Sequence, residues 1–125
     1  MKHLLIALLL MSLSACCTFV PCHPATRAVG YVNNENGKPV EGATVTLYGY
    51  KSITNANGCF AFNVADALPF ELSASAEGYK SITVPSKAGF FIISVNLASA
   101  ASTKPSEVEW KEISINEYKN IKKCT

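Results

Sequence analysis

The chain alternates apolar and polar residues in short runs that Gly, Asn or Pro separate. Such alternation is typical of strands with one buried face, and Gly and Asn supply the backbone angles of tight turns. The pattern predicts seven strands, over residues 29–33, 43–48, 51–54, 59–64, 70–76, 79–84 and 90–98. We therefore expect an all-β fold, a β-sandwich over residues 29–98.

The alternation also predicts which side chains face outward. In the 43–48 strand, Leu47 points into the core and Tyr48 points out, and in the 90–98 strand Phe90 and Ile92 face outward. The outward aromatic and apolar residues form a candidate binding face for an envelope protein or a glycan: Tyr31, Tyr48, Tyr50, Phe90 and Ile92. We favour over this binding face the interpretation that the C-terminal tail covers these residues and makes them a second small core.

Turn chemistry connects several of these strands. Residues 55–58, Asn-Ala-Asn-Gly, are predicted to join the 51–54 and 59–64 strands as a hairpin. Glu77-Gly78 turns the 70–76 strand into the next one, and Pro85 ends that next strand because proline has no ladder donor.

Three motifs follow a Gly-x-Val strand that begins at Gly30. They are Gly-Lys-Pro-Val-Glu-Gly-Ala-Thr-Val-Thr-Leu from Gly37, Thr-Asn-Ala-Asn-Gly-Cys-Phe-Ala-Phe from Thr54, and Gly-Tyr-Lys from Gly78. In this order they resemble the carboxypeptidase regulatory-like domain, over about half of the chain. The resemblance implies a seven-strand, transthyretin-like sandwich. It also implies a non-catalytic module, because these domains accompany other modules and carry no catalytic residues.

The N-terminus has the organisation of a lipoprotein signal. A basic Met-Lys-His start precedes an apolar run over residues 4–11, and Leu13-Ser14-Ala15-Cys16 follows. These four residues resemble the bacterial lipobox, which implies that residues 1–15 are removed and that Cys16 is acylated. An ordinary secretory signal or an uncleaved anchor helix is the alternative.

Residues 16–28 are predicted to be a lipidated tether, because they contain prolines and no apolar period. Extended, its 12 residues after Cys16 would reach about 40 Å, so the domain should lie close to the membrane. The residue after Cys16 is Cys17 and not Asp, which under the enterobacterial sorting rule indicates the outer membrane. We expect a lipid-anchored envelope protein that faces the periplasm or the cell surface.

Four further cysteines would remain in the exported chain: Cys17, Cys22, Cys59 and Cys124. An even number in an exported protein suggests disulfides. In the 59–64 strand Phe60 and Phe62 point inward, so Cys59 points outward and can meet a segment lying on the sheet. We favour Cys59 with Cys124, which leaves Cys17 near Cys22, either paired or reduced.

Residues 99–125 form a C-terminal extension. Residues 108–113 are ambiguous between extended chain and helix, whereas Ser114-Ile115-Asn116-Glu117 is a capping box that predicts a short helix over 115–123. The side chains expected to pack this extension are Trp110, Ile113, Tyr118 and Ile121.

Composition limits the remaining functions. Without the signal, 10 Lys and Arg face 9 Asp and Glu, a net charge of +1, which argues against nucleic-acid binding. The one histidine after the signal is His23, and the one aspartate is Asp66. Neither a zinc site nor a Ser-His-Asp arrangement is supported by these two residues, so we expect no enzyme activity, no metal and no cofactor. We expect a membrane-anchored binding or structural module; the alternative is an accessory subunit of a larger envelope secretion or surface-assembly complex.

Overall fold

The computed structural model describes residues 25–124, which form two facing four-stranded sheets and one short helix. One sheet has the strand order β4-β1-β7-β8 and the other β3-β2-β5-β6. Strands β1 and β7 run parallel, and the other neighbouring strands are antiparallel. The elements are β1 Ala25–Asn34, β2 Thr44–Leu47, β3 Tyr50–Ile53, β4 Cys59–Ala65, β5 Glu71–Ser75, β6 Ile82–Pro85, β7 Phe90–Leu97, β8 Glu107–Glu112 and α1 Ile115–Asn120.

The all-β sandwich is confirmed, but residues 25–124 contain eight strands and not seven. The additional strand is β8, which the sequence left open between strand and helix. Its residues Val108 and Trp110 lie opposite Val95 and Ile93 of β7. Pairing with β7 is the tertiary contact that decides the conformation of this segment.

The turn at residues 55–58 has the predicted chemistry, but the strands it joins are not a hairpin. The Asn55 side chain accepts hydrogen bonds from the N–H groups of Asn57 (2.9 Å) and Cys59 (3.0 Å). However, β3 pairs with β2 and β4 pairs with β1. The segment therefore carries the chain from one sheet to the other, and the hairpin prediction was wrong.

Apolar side chains from both sheets fill the space between them. Those with less than 2 % exposure include Leu47, Phe60, Leu72, Ile93, Leu97, Val32, Val45 and Val95. At the centre of β1, Gly30 is required by this packing, because a Cβ there would lie 2.2 Å from the Phe60 ring and 2.6 Å from the Ile93 carbonyl oxygen. The glycine of the Gly-x-Val motif thus makes room for a core aromatic ring.

Tyr48 does not point outward as the alternation predicted. It is buried, with 3 % of its surface exposed, and its φ is +51°. Together with Gly49 (φ +84°) it forms the two-residue turn between β2 and β3, and such turns need positive φ at both positions. The period-2 pattern ends at Leu47 because the turn begins there.

Candidate functional site

The strands place the loops at two ends of the sandwich. The end that contains Ala25, the Tyr48-Gly49 turn and the loops 66–70 and 86–89 is called the near end. These segments are adjacent because Ala25 pairs with Ala65 and the Arg27 N–H donates to Gly89 O (2.9 Å). The opposite end, which contains the turns 35–38, 55–58 and 77–78 and the loop 98–106, is called the far end.

An open cleft of about 660 Å³ lies at the far end. Its lining includes Asn34, Glu35, Asn36, Gly78, Tyr79, Ser99, Ala101 and Ser102. The Glu35 carboxylate accepts hydrogen bonds from the Ser99 N–H (2.7 Å) and the Ser102 hydroxyl (3.1 Å). These hydrogen bonds hold the loop 98–106 against the turn after β1.

Lys80 holds the same loop from the other side. Its Nζ donates to the carbonyl oxygens of Ser102 (2.5 Å) and Lys104 (2.9 Å), and its own carbonyl accepts from the Ser106 hydroxyl (2.7 Å). The hydrogen bonds from Ser99 and Ser102, with the nearby Lys104 and Lys80 charges, lower the pKa of Glu35 below its ordinary value. The charged groups of the far-end cleft are thus engaged in ordering a loop.

The C-terminal tail covers part of the outer face of the β4-β1-β7-β8 sheet. Cys59 and Cys124 form a disulfide, and the Tyr118 and Phe90 rings pack with centroids 5.6 Å apart. Val29, Cys59 and Ile113 are buried, although they are outside the main core cluster. Phe90 and Ile92 therefore belong to a second small core under the tail.

The start of α1 follows the predicted capping pattern. The Ser114 hydroxyl accepts a hydrogen bond from the Glu117 N–H at 3.1 Å, and the helix ends at Asn120 rather than at residue 123. Lys123 Nζ lies 3.3 Å from the Tyr118 ring centroid and donates to the Tyr118 carbonyl oxygen. Trp110 is not part of this tail packing, because its ring contacts Phe91 edge-on at 5.2 Å in the main core.

The candidate binding face predicted from the sequence is divided among different surroundings. Tyr31 and Tyr50 are exposed but lie on different sheets, in β1 and β3. Tyr48 is buried in a turn, and Phe90 and Ile92 are half-buried. The structure does not bring these five residues together as one surface.

The near end carries a group of exposed apolar side chains, of which only Tyr50 belongs to the candidate face predicted from the sequence. Among residues 25–124, six large apolar side chains are exposed, and four of them lie at or beside this end: Tyr50, Leu68, Phe70 and Ile115. Leu68 and Phe70 share the loop 66–70, which follows β4 directly. Phe70 is exposed because strand β5 starts only at Glu71, so the alternation that buries Leu72 does not include it.

Several predicted features lie outside the described residues: the signal peptide, Cys16, Cys17, Cys22 and His23. Within residues 25–124, no three His, Cys, Asp or Glu side chains come together in a way that could hold a metal ion. Over that same part of the chain, no helix has the length and apolar character needed to cross a membrane.

Comparison with known proteins identifies the family. The model of the carboxypeptidase regulatory-like domain matches residues 28–103. No curated protein matches the sequence. A crystal structure from Bacteroides fragilis NCTC 9343, provisionally described as a membrane-associated protein of unknown function, is similar at 20 % identity with a TM-score of 0.46. The match covers 66 % of this chain and only 31 % of that one.

The family match extends over more than half of the chain, from within β1 to the loop after β7. The protein is therefore a β-sandwich module, and it belongs to the carboxypeptidase regulatory-like domain family. Strand β8 and α1 follow the matched region and complete the sandwich at its C-terminal side.

Proposed function

We propose that this chain is a non-catalytic lipoprotein of the cell envelope, anchored through acylated Cys16, in which the sandwich is a structural or binding module. The observation that carries this proposal is Leu13-Ser14-Ala15-Cys16, placed nine residues before a folded domain of a non-catalytic family. The far-end cleft supports a non-catalytic role, because Glu35 and Lys80 are both committed to holding a loop.

The anchor is tested by labelling growing cells with an alkyne analogue of palmitate and isolating the tagged protein. The full chain and Cys17→Ser should incorporate the label and enter the membrane fraction, whereas Cys16→Ser should do neither. Cys17 is a matched control because it is the neighbouring cysteine. The proposed anchor would be contradicted if Cys16→Ser incorporated the palmitate label, or if the unmodified chain did not.

The outer-membrane location is a separate part of the proposal. It rests on Cys17 following the acylated residue, where Asp would retain a lipoprotein in the inner membrane under the enterobacterial rule. Separation of the two membranes on a sucrose gradient should place the unmodified chain and Cys17→Ser in the outer membrane, and Cys17→Asp in the inner one. Equal distribution of all three would contradict it.

A second candidate is an accessory subunit that receives a strand from another protein at β8. This six-residue strand is an edge of its sheet, with β7 on one side only. The Ile113 N–H donates to Phe90 O (2.9 Å), so by antiparallel alternation the N–H groups of Val108, Trp110 and Glu112 point away from β7. These outward N–H groups are available to form hydrogen bonds with a strand added by another protein.

Charged side chains along β8 restrict which strand could pair with it. Glu107, Glu109, Lys111 and Glu112 are exposed, and charges on an edge strand discourage unspecific pairing. In-cell crosslinking followed by mass spectrometry should recover one dominant partner, and Glu112→Pro should lose it because proline removes an outward N–H. Glu112→Ala is the control that keeps this donor. Recovery of no partner would favour the stand-alone module.

A further inference from the structure

The loop 66–70 presents apolar surface at the near end. Leu68 is 80 % exposed and Phe70 is 51 % exposed, and Tyr50 and Ile115 are also exposed at or beside this end. Single exposed apolar side chains are common on soluble proteins, but Leu68 and Phe70 lie on one five-residue loop and together form an apolar patch, which indicates an interaction surface.

This loop is fixed relative to the start of β1. The Tyr48 and Phe70 rings pack edge-on with centroids 5.9 Å apart. The buried Tyr48 hydroxyl donates to Lys87 O at 2.6 Å, and it lies 3.1 Å from the Thr26 hydroxyl in β1. The apolar surface and the entry of the N-terminal segment are therefore held together by one residue.

The chain before β1 limits how far this surface can lie from an acylated Cys16. Ala25 lies nine positions after Cys16, with eight residues between them, and at 3.3–3.6 Å per position this connection reaches about 30 Å at most. The near end is the end of the sandwich at which this segment enters, so it is the end that a lipid anchor would bring to the bilayer.

We propose that Leu68 and Phe70 rest in the interfacial layer of the lipid bilayer, as a second membrane contact beside the acyl chains. This inference rests on the proposed anchor at Cys16. Two such contacts orient the domain, with the near end on the lipid and the far-end loops directed away from it. One lipid attachment alone would leave the domain free to rotate.

The charges at the near end indicate an apolar contact and not an electrostatic one. Exposed Lys87 lies on the loop 86–89, while Glu71 and Asp66 lie beside it at the two ends of the 66–70 segment. With charges of both signs, no polybasic patch is present on these loops to bind anionic lipid. The contact should therefore form on neutral phosphatidylcholine and persist in high salt.

The test uses the purified, lipidated full chain in vesicles of phosphatidylcholine whose acyl chains are either brominated or plain. Bromine quenches tryptophan fluorescence on contact. Leu68→Trp introduces a probe at the near end, and Ala101→Trp introduces a matched probe on the exposed far-end loop. Trp110 stays in both variants as a common background, and flotation on a density gradient verifies attachment.

We expect brominated lipid to quench at least half of the added fluorescence of Leu68→Trp, and to leave that of Ala101→Trp unchanged. Equal quenching in both variants, or none in Leu68→Trp although the protein floats, would overturn the contact. A blue-shifted but unquenched probe in Leu68→Trp would indicate that a protein surface, such as a second copy, covers this end, and would also overturn it. Failure to float would overturn the anchor itself, and this inference with it.

Discussion

Tyr48 joins three segments of the near end through one side chain. Its single hydroxyl proton is donated to Lys87 O, so the Thr26 hydroxyl donates to Tyr48 in turn. The residue also has a positive φ, which is uncommon outside glycine and persists only where the surroundings determine it. We interpret the buried hydrogen bonds as the reason that a tyrosine is held in this conformation.

Tyr48→Phe should therefore lower the free energy of unfolding by about 1–3 kcal/mol, because it leaves the buried Thr26 hydroxyl without its acceptor and the Lys87 carbonyl without its tyrosine donor. Urea denaturation measures this loss. The matched control is Tyr50→Phe, at an exposed position two residues away, which should change stability by less than about 0.5 kcal/mol. Equal effects of the two variants would show that the Tyr48 hydroxyl contributes nothing specific.

Glu35 is the residue whose ionisation should affect stability at acidic pH. Its pKa is lowered in the folded state by the hydrogen bonds from Ser99 and Ser102, from an ordinary value of 4.5. A lowered folded-state pKa means that the stabilisation is complete at neutral pH. It is lost as the pH falls from 4.5 through the folded-state pKa.

Glu35→Gln should reduce the acid sensitivity of the far-end loop over this pH range. Hydrogen exchange of residues 98–106, measured between neutral and acidic pH, reports the effect. The unmodified chain should lose protection as Glu35 is protonated, and the variant should show weaker protection with little change across the same range. Glu77→Gln, an exposed carboxylate in a neighbouring turn, is the control and should behave like the unmodified chain.

The C-terminal tail is the element most dependent on tertiary contacts. Its helix has six residues, which is too short to be stable alone. The Ser114 cap stabilises the helix start, and two features hold the helix on the sheet: the packing of Tyr118 on Phe90 and the Cys59–Cys124 disulfide. The disulfide closes a separation of 65 residues, so it restricts the unfolded chain considerably.

Replacement of both cysteines, Cys59→Ser with Cys124→Ser, should lower the free energy of unfolding by about 2–4 kcal/mol. The amide protons of residues 115–120 should exchange faster, while those of the central strands β1 and β7 remain the slowest. Reduction of the unmodified chain with a thiol is the control and should reproduce the result. Unchanged exchange in the helix would mean that packing alone holds the tail.

Strands and caps were predictable where local patterns determine them. Alternation in β7 correctly placed Phe90 and Ile92 on the face opposite the core, which Phe91, Ile93 and Val95 fill. The capping box predicted the start of α1. Pairing between elements was not predictable in the same way. The local sequence of β3 and β4 is compatible with a hairpin. The two strands do not pair because they belong to different sheets, which the local sequence does not indicate.

The candidate site was predicted less well than the fold. Outward-facing positions in a strand are visible in the sequence, but their coverage is not. The sequence therefore left Phe90 and Ile92 open between a binding face and a second small core, and the packing of Tyr118 on Phe90 supports the second core. Leu68 and Phe70 belong to a loop, where no period indicates exposure. Their position beside Ala25 becomes visible only through the pairing of β1 with β4.

At the scale of the whole molecule, the N-terminal segment would set the distance between the proposed anchor at Cys16 and the domain. If the near end contacts the bilayer, the acyl chains and the loop 66–70 are two linked attachments. Binding of the loop then depends on its effective concentration at the bilayer, which the linker length sets. A longer flexible linker lowers this concentration by roughly the −3/2 power of its length.

Insertion of 20 Gly and Ser residues after Pro24 lengthens the connection between Cys16 and Ala25 from eight residues to 28, so the effective concentration should fall roughly sixfold. We expect the protein to remain on vesicles, because Cys16 is unchanged, while the quenching of Leu68→Trp by brominated lipid decreases. The matched control carries the same insertion between residues 101 and 102 of the far-end loop, where the distance to the anchor is unaffected, and should keep the quenching. Undiminished quenching after the insertion at Pro24 would mean that the near end binds lipid without help from the anchor. Loss of vesicle attachment in that variant would instead place the failure in the anchor or its processing.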